Sequence, residues 1–143
     1  MGDTINLVKL CVGAEGVEDL AAWQATPAAR GPDGRPWHVT RMWPRREAEL
    51  LDGGSLYWVF RGVILARQRI LGLERVVGRD GVQRCGIVLD ARLRRTEPAP
   101  RKPFQGWRYL APSEAPRDLQ DARAAEAALP PGLAMALAEL GVR

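Results

Sequence analysis

The stretch ELLDGGSLYWVFRGVILARQRI, Glu49 to Ile70, sets the fold class that the sequence predicts. Large side chains alternate along its centre, which is typical of a β-strand. One face of that strand carries Leu56, Trp58 and Phe60, and the other carries Ser55, Tyr57 and Val59. Because both faces hold large side chains, we expect the strand to be buried on at least one of them.

The segment that follows, Val63–Val77, permits two interpretations. Apolar residues at helical spacing would form a stripe on one side of a helix. However, the GRDG motif at Gly78 to Gly81 is typical of a hairpin turn, and the segment beyond it alternates Cys85, Ile87 and Leu89 on one face. We therefore predict a strand over residues 63–77.

Outward from this core, the pattern alternates helices and strands. Predicted strands cover the N-terminal TINLVKLCVG and the segment WHVTRMWP, and helices are predicted from Gly16 to Ala25 and from Pro44 to Leu51. Three prolines restrict Ala91 to Leu110 to interrupted edge strands. C-terminal helices are expected at about residues 117–141, one of them from Pro131 to Leu140. The prediction is a single α+β domain, residues 1–143, with a small mixed, curved or barrel-like sheet and flanking helices.

Composition excludes several classes of protein. The chain has 143 residues, 46% of them hydrophobic and 27% charged, which is typical of a globular domain. No apolar run approaches the roughly 18 residues of a membrane span. The N-terminus lacks the pattern of an export signal, so we expect a cytoplasmic protein whose two cysteines, Cys11 and Cys85, are reduced.

Residues for metal binding or nucleophilic catalysis are scarce. The chain has one histidine, two distant cysteines and no phosphate-binding glycine motif, so no metal and no cofactor are expected. His38 faces inward on its predicted strand, and a single imidazole is more often a core residue than a general base.

Basic residues interleaved with aromatic rings are the strongest functional signal. The net charge is +4, and nearly every basic residue is arginine, which pairs bidentately with phosphate. The relevant segments are TRMWPRR, YWVFRG and RRTEPAPRKPFQGWRY. Positive charge releases counterions from phosphates, and exposed rings stack on unpaired bases. The alternative is that these rings belong to the core and their arginines are solvated.

The order of elements resembles the small mixed barrels of the PUA-like superfold, including the ASCH and EVE domains. The segments LLDGGSLYWVFRG and VILARQRILGLERV, within a core of about residues 37–110, carry this resemblance. More closely, HVTRMWPRR, GGSLYWVFRGVILARQRIL, RCGIVLD and RTEPAPRKPFQGWRYL resemble an uncharacterised family with a domain of unknown function, seen mostly in alphaproteobacteria. That resemblance implies a bacterial cytoplasmic protein and leaves its chemistry open.

Because PUA-like folds receive RNA or modified bases, we predict a module that binds single-stranded RNA or a modified nucleotide. The candidate binding residues are Thr40, Arg41, Tyr57, Trp58, Arg67, Arg69, Arg101 and Trp107. We expect the arginines to face phosphates and Trp107 or Tyr57 to stack on a base.

Two other functions stay open. Some ASCH-like proteins are amidohydrolases of modified nucleosides that use a lysine, a threonine and a glutamate. Thr40 fits that pattern, but Arg41 and Arg45 stand where a lysine is wanted, and arginine does not act as a base near neutral pH. The last predicted helix offers a third possibility, because its stripe of Leu133, Leu137 and Leu140 could form a homodimer interface.

Overall fold

The computed structural model describes residues 4–119. These residues contain seven strands and two α-helices. The strands are β1 (Asn6–Leu10), β2 (Trp37–Thr40), β3 (Ser55–Phe60), β4 (Val63–Val77), β5 (Gln83–Leu89), β6 (Arg94–Pro100) and β7 (Trp107–Leu110), and the helices are α1 (Val17–Gln24) and α2 (Glu47–Leu51). The protein is therefore an α+β fold dominated by its sheet.

All seven strands belong to one mixed sheet in the order β2-β5-β4-β3-β1-β7, with β6 beside β4. β1 and β3 are parallel, and the other pairs are antiparallel. Within residues 4–119, β2 and β7 each pair with one strand only, so the sheet is open and the predicted barrel-like closure is wrong for this part of the chain.

The long strand β4 organises the sheet. Its first half pairs with β3 and β6, and its second half pairs with β5. The register shifts at one point in each of these three pairings, and such irregularities bend a strand and increase its twist. The prediction of a strand here is confirmed, because burial alternates through Ile64, Ala66, Gln68 and Ile70.

Two tight turns set the register around β4. Arg61 and Gly62 both have positive φ, 48° and 83°, which is typical of the two-residue turn that connects strands of right-handed twist. The predicted GRDG turn is also confirmed, since the Gly81 N–H donates to the Gly78 carbonyl at 2.9 Å. These turns keep β3, β4 and β5 adjacent.

Both faces of the sheet are buried along Ser55–Phe60, where burial of at least one face was predicted. On the inner face, Leu7, Leu56 and Trp58 pack with Leu20 of α1 and Leu50 of α2. The outer face is smaller. It consists of Val8, Tyr57, Val59, Ile64 and Leu110, covered by partly buried side chains that include Phe104 and Ala115.

The helix predicted from Pro44 begins at Glu47. Arg46, at the N-cap, has φ −93° and ψ 49°, which is not helical backbone, so the helix starts after it. The backbone N–H groups of Arg45 and Arg46 donate to the Tyr109 hydroxyl at 2.9 and 3.2 Å, which pairs N–H groups that the helix itself does not pair. The first predicted helix is confirmed as α1, the predicted flanking strands are confirmed, and the last predicted helix, 131–140, lies outside the described residues.

Candidate nucleic-acid interface

The predicted binding residues lie in several separate places. Thr40 and Arg41 are at the end of β2, Tyr57 and Arg67 are on the outer face, and Trp58 and Trp107 are on the inner face. Arg69 is exposed on β4, two residues beyond Arg67, and Arg101 follows β6. The structure therefore does not bring them into one pocket.

Trp58 and Trp107 are core residues, with 5% and 4% of their surfaces exposed. The Trp58 indole N–H donates to the Gln68 amide oxygen, and that of Trp107 donates to the Met42 carbonyl, both at 2.9 Å. A buried indole satisfies its N–H in this way. In this conformation neither Trp107, which was expected to stack on a base, nor Trp58, a candidate binding residue, has a ring open to a base.

Arg67 is engaged by a carboxylate of its own chain. Its Nε and Nη2 donate to the two oxygens of Asp118, each at 2.7 Å, and its Nη1 donates to the Ser55 hydroxyl at 2.8 Å. The hydrogen bonds from Arg67 hold the pKa of the Asp118 carboxyl below its usual range. These groups and Tyr57 line a cleft of about 350 Å³, in which Asp118 occupies the position that a phosphate would need.

Two further predicted arginines differ in their surroundings. Arg101 Nη1 lies 3.5 Å from a carboxylate oxygen of Glu114, a long contact between partly exposed groups. The Arg69 guanidinium has no ion-pair partner within residues 4–119. Neither residue lines the same cleft as Arg41.

Arg41 lies in a second cleft, of about 290 Å³, which we call the arginine cleft. It is lined by Arg41, Trp43, Arg75, Gln83, Arg84 and Cys85. Strand register explains the grouping, because Cys85 of β5 lies opposite Thr40 of β2 on one side and opposite Arg75 of β4 on the other. Three strands thus converge on one basic depression.

The arginines in the arginine cleft differ in whether a carboxylate pairs with them. Arg84 donates to both carboxylate oxygens of Asp80, at 3.0 and 2.8 Å, which lowers the pKa of Asp80. No ion pair involves Arg41 or Arg75 in the part of the chain that the structure describes. Trp43 is 41% exposed at the cleft, so one face of an indole is available beside guanidinium groups.

Sequence reasoning named Arg41 and the TRMWPRR segment but missed Arg75, Gln83 and Arg84. The GRDG turn could have indicated these residues. A hairpin folded at that turn places the basic residues of its two strands near one another, and Arg75 and Cys85 are indeed opposite.

One known protein family matches almost the whole chain. Residues 7–143 match the family described as "Protein of unknown function (DUF1489)". The chain belongs to this family. No curated protein matches the chain, and no solved structure matches it.

Two further features of this DUF1489 protein concern metal binding and membrane spans. Residues 4–119 hold no group of three or more histidine, cysteine, aspartate or glutamate side chains placed to bind a metal ion. Among the helices described, none is long and apolar enough to cross a membrane.

His38 of the DUF1489 chain packs on the inner face, as predicted. Its ring meets the Trp58 ring edge-on, with 5.7 Å between centroids. Burial lowers the pKa of His38 from 6.5 to about 4, and the positive charge of Lys9 adds to the effect. The imidazole is therefore neutral near neutral pH.

The pKa of His38 predicts acid destabilisation of the DUF1489 fold. Because the folded pKa is below the unfolded value, the stabilisation is complete above pH 6.5 and is lost as pH falls toward 4. We expect the free energy of unfolding to drop by about 2 kcal/mol between pH 7 and about pH 5. Urea unfolding at the two pH values measures it. His38 is the only histidine, so His38→Gln should remove most of this change, and an unchanged pH dependence in that variant would contradict the assignment.

Proposed function

We propose that this DUF1489 protein binds single-stranded nucleic acid, RNA or a modified nucleotide, through the arginine cleft. The observation that carries the proposal is that Arg41 and Arg75, neither of them in an ion pair within residues 4–119, lie together beside the exposed Trp43. Guanidinium groups pair with phosphate oxygens, and an indole stacks on a base whatever its sequence.

The size of the arginine cleft favours one nucleotide over a duplex. Its volume of about 290 Å³ lies at the lower end of the range for small-ligand pockets. The net charge of +4 supports attraction to an anionic chain. The PUA-like resemblance of about residues 37–110 agrees with this proposal, because related folds receive RNA or modified bases.

Binding should depend on both charge and stacking. For a labelled single-stranded oligomer, we expect the logarithm of the affinity to fall as the logarithm of the salt concentration rises. The slope should be roughly −0.7 for each phosphate neutralised. Arg41→Ala should reduce the slope by about 0.7, the contribution of one phosphate, and Trp43→Ala should weaken binding by about 1 to 3 kcal/mol. Fluorescence anisotropy with short RNA and DNA oligomers at two salt concentrations measures both effects.

Arg92→Ala is the matched control. Arg92 is exposed just beyond the C-terminal end of β5, whereas the arginine cleft lies at the N-terminal end of that strand. Arg92→Ala removes the same charge as Arg41→Ala, but at a site away from the arginine cleft. It should therefore leave the contribution of the arginine cleft to binding intact. Absence of binding at low salt, or equal losses for Arg41→Ala and Arg92→Ala, would contradict the proposal. Turnover of an acylated nucleoside would instead indicate the amidohydrolase alternative.

A further inference from the structure

A third cleft, of about 650 Å³, lies where β1 and β3 end side by side. These two strands are parallel, and Leu10 of β1 pairs with Val59 of β3. The Cys11 N–H extends the pairing by donating to the Val59 carbonyl at 2.8 Å. The turn after β3 places Arg61 in the wall, so we call this the Arg61 cleft. Its volume is within the range of clefts that bind small molecules.

Most of the wall of the Arg61 cleft is apolar. The chain that follows β1, the end of β3 and the loop between β6 and β7 all contribute to it. Its apolar lining side chains are Leu10, Val12, Ala14, Val59 and Pro103. Cys11 adds a thiol that is neutral near neutral pH, because burial raises its pKa to about 11. Clefts of this composition bury the apolar body of a ligand and use a few polar groups to fix its orientation.

Two charged side chains, Arg61 and Glu15, line the same cleft and pair with each other. The Arg61 Nη2 lies 2.5 Å from the Glu15 Oε1. The two side chains are 71% and 73% exposed, so water competes with this ion pair and the pair contributes little to stability. Arg61 and Glu15 can therefore separate, and each can then take an opposite charge from a ligand.

The backbone at Arg61 supports a role for its side chain beyond the turn. Arg61 has φ 48°, and within residues 4–119 no other residue except glycine has a positive φ. Turns of this type favour asparagine, aspartate or glycine at that position, because other side chains crowd the backbone in the left-handed conformation. Residues held in such conformations cluster at sites that clamp ligands.

We propose that the Arg61 cleft binds a free α-amino acid with a large apolar side chain, such as leucine. Arg61 pairs with the α-carboxylate, and Glu15 pairs with the α-ammonium. The apolar side chain of the ligand lies against the wall that Val12, Val59 and Pro103 line. An α-amino acid carries both charges on one carbon next to its apolar body, so it matches the ion pair and the apolar wall together. The Arg61 cleft shares no lining residue with the arginine cleft, so this inference is independent of nucleic-acid binding.

Four probes separate the parts of this recognition, in nuclear magnetic resonance titrations that observe the backbone amides of the full chain. L-leucine should shift the signals of Cys11, Glu15, Arg61 and Gly62 saturably, with a Kd of about 1 mM, because so small a ligand gains little beyond its cost of binding. N-acetyl-leucine lacks the ammonium, leucinamide lacks the carboxylate, and glycine lacks the apolar body. Each of these three should bind about tenfold more weakly than leucine or worse.

Arg61→Asn removes the guanidinium and keeps the turn, because asparagine tolerates the left-handed conformation. It should weaken leucine binding about tenfold. Arg79→Asn is the matched control, since Arg79 is exposed in the GRDG turn at the other end of β4, and it should bind leucine as the wild type does.

Three results would overturn the proposal. Leucine produces no saturable shift at the Arg61 cleft, N-acetyl-leucine and leucinamide bind as tightly as leucine, or Arg61→Asn loses no more affinity than Arg79→Asn. The first two results need no variant, so a folding defect in Arg61→Asn cannot obscure the answer.

Discussion

Replacing Gly54 with alanine is expected to destabilise the protein by about 3 kcal/mol, because the added Cβ has no space. It would lie 2.3 Å from the Ile5 carbonyl oxygen and 2.5 Å from that of Leu50. Both are backbone atoms, so neither can rotate away. Gly54 is also held in place, since its N–H donates to Leu50 at 2.9 Å and its carbonyl accepts the N–H of Ile70 at 3.0 Å.

Gly72→Ala is the matched control for this prediction. A Cβ at Gly72 would meet no atom within 4 Å, and that glycine does not have a positive φ. We expect its free energy of unfolding to stay within about 0.5 kcal/mol of wild type. Urea unfolding monitored by tryptophan fluorescence compares the variants, and equal midpoints for Gly54→Ala and Gly72→Ala would show that the close approach at Gly54 relaxes without cost.

The strands were predictable because their period is visible in the sequence. β4 could also have been a helix, since Val63, Ala66, Ile70, Leu73 and Val77 have helical spacing. The structure resolves this through its neighbours, because β3, β5 and β6 all pair with β4, and Val77 is 59% exposed. Whether the sheet closes was not predictable, since closure depends on whether the two edge strands pair with each other.

The candidate site was predicted only in part, because residue types do not reveal long-range partners. Arg67 looked available for phosphate, yet its carboxylate partner, Asp118, is 51 residues away in sequence. Trp58 and Trp107 were candidate binding residues, and Trp107 was expected to stack on a base, yet strand register turns both into the core. Arg41 was predicted to face phosphates, and it lies in a basic cleft whose other lining residues, apart from Trp43, come from the β4–β5 hairpin.

β2 connects the inner face of the sheet with the arginine cleft. It places His38 on the inner face against Trp58, and it ends at Thr40, directly before Arg41 of the arginine cleft. A variant that disturbs β2 would therefore affect both the core and the arginine cleft.

Replacing Gln68 with methionine is expected to cost about 3 kcal/mol although the side chain keeps its approximate volume. Gln68 is fully buried. Its oxygen accepts from Trp58 Nε1 at 2.9 Å and from Gln24 Nε2 at 2.7 Å, and its Nε2 donates to the Gln24 oxygen at 2.7 Å and the Asp90 carbonyl at 2.9 Å. Methionine would leave these partners unpaired, and each buried unsatisfied group costs about 1 to 3 kcal/mol.

A double-mutant cycle with Gln24→Met distinguishes lost hydrogen bonds from poor packing. Two hydrogen bonds join the amides of Gln24 and Gln68, so removing either amide already breaks both of them. The double variant should therefore lose about 1 kcal/mol less than the sum of the single losses. Gln105→Met, the same chemical change at an exposed position, should be nearly neutral. Additive losses in the cycle, measured by urea unfolding, would show that the bonds between the two amides do not account for the cost at Gln68.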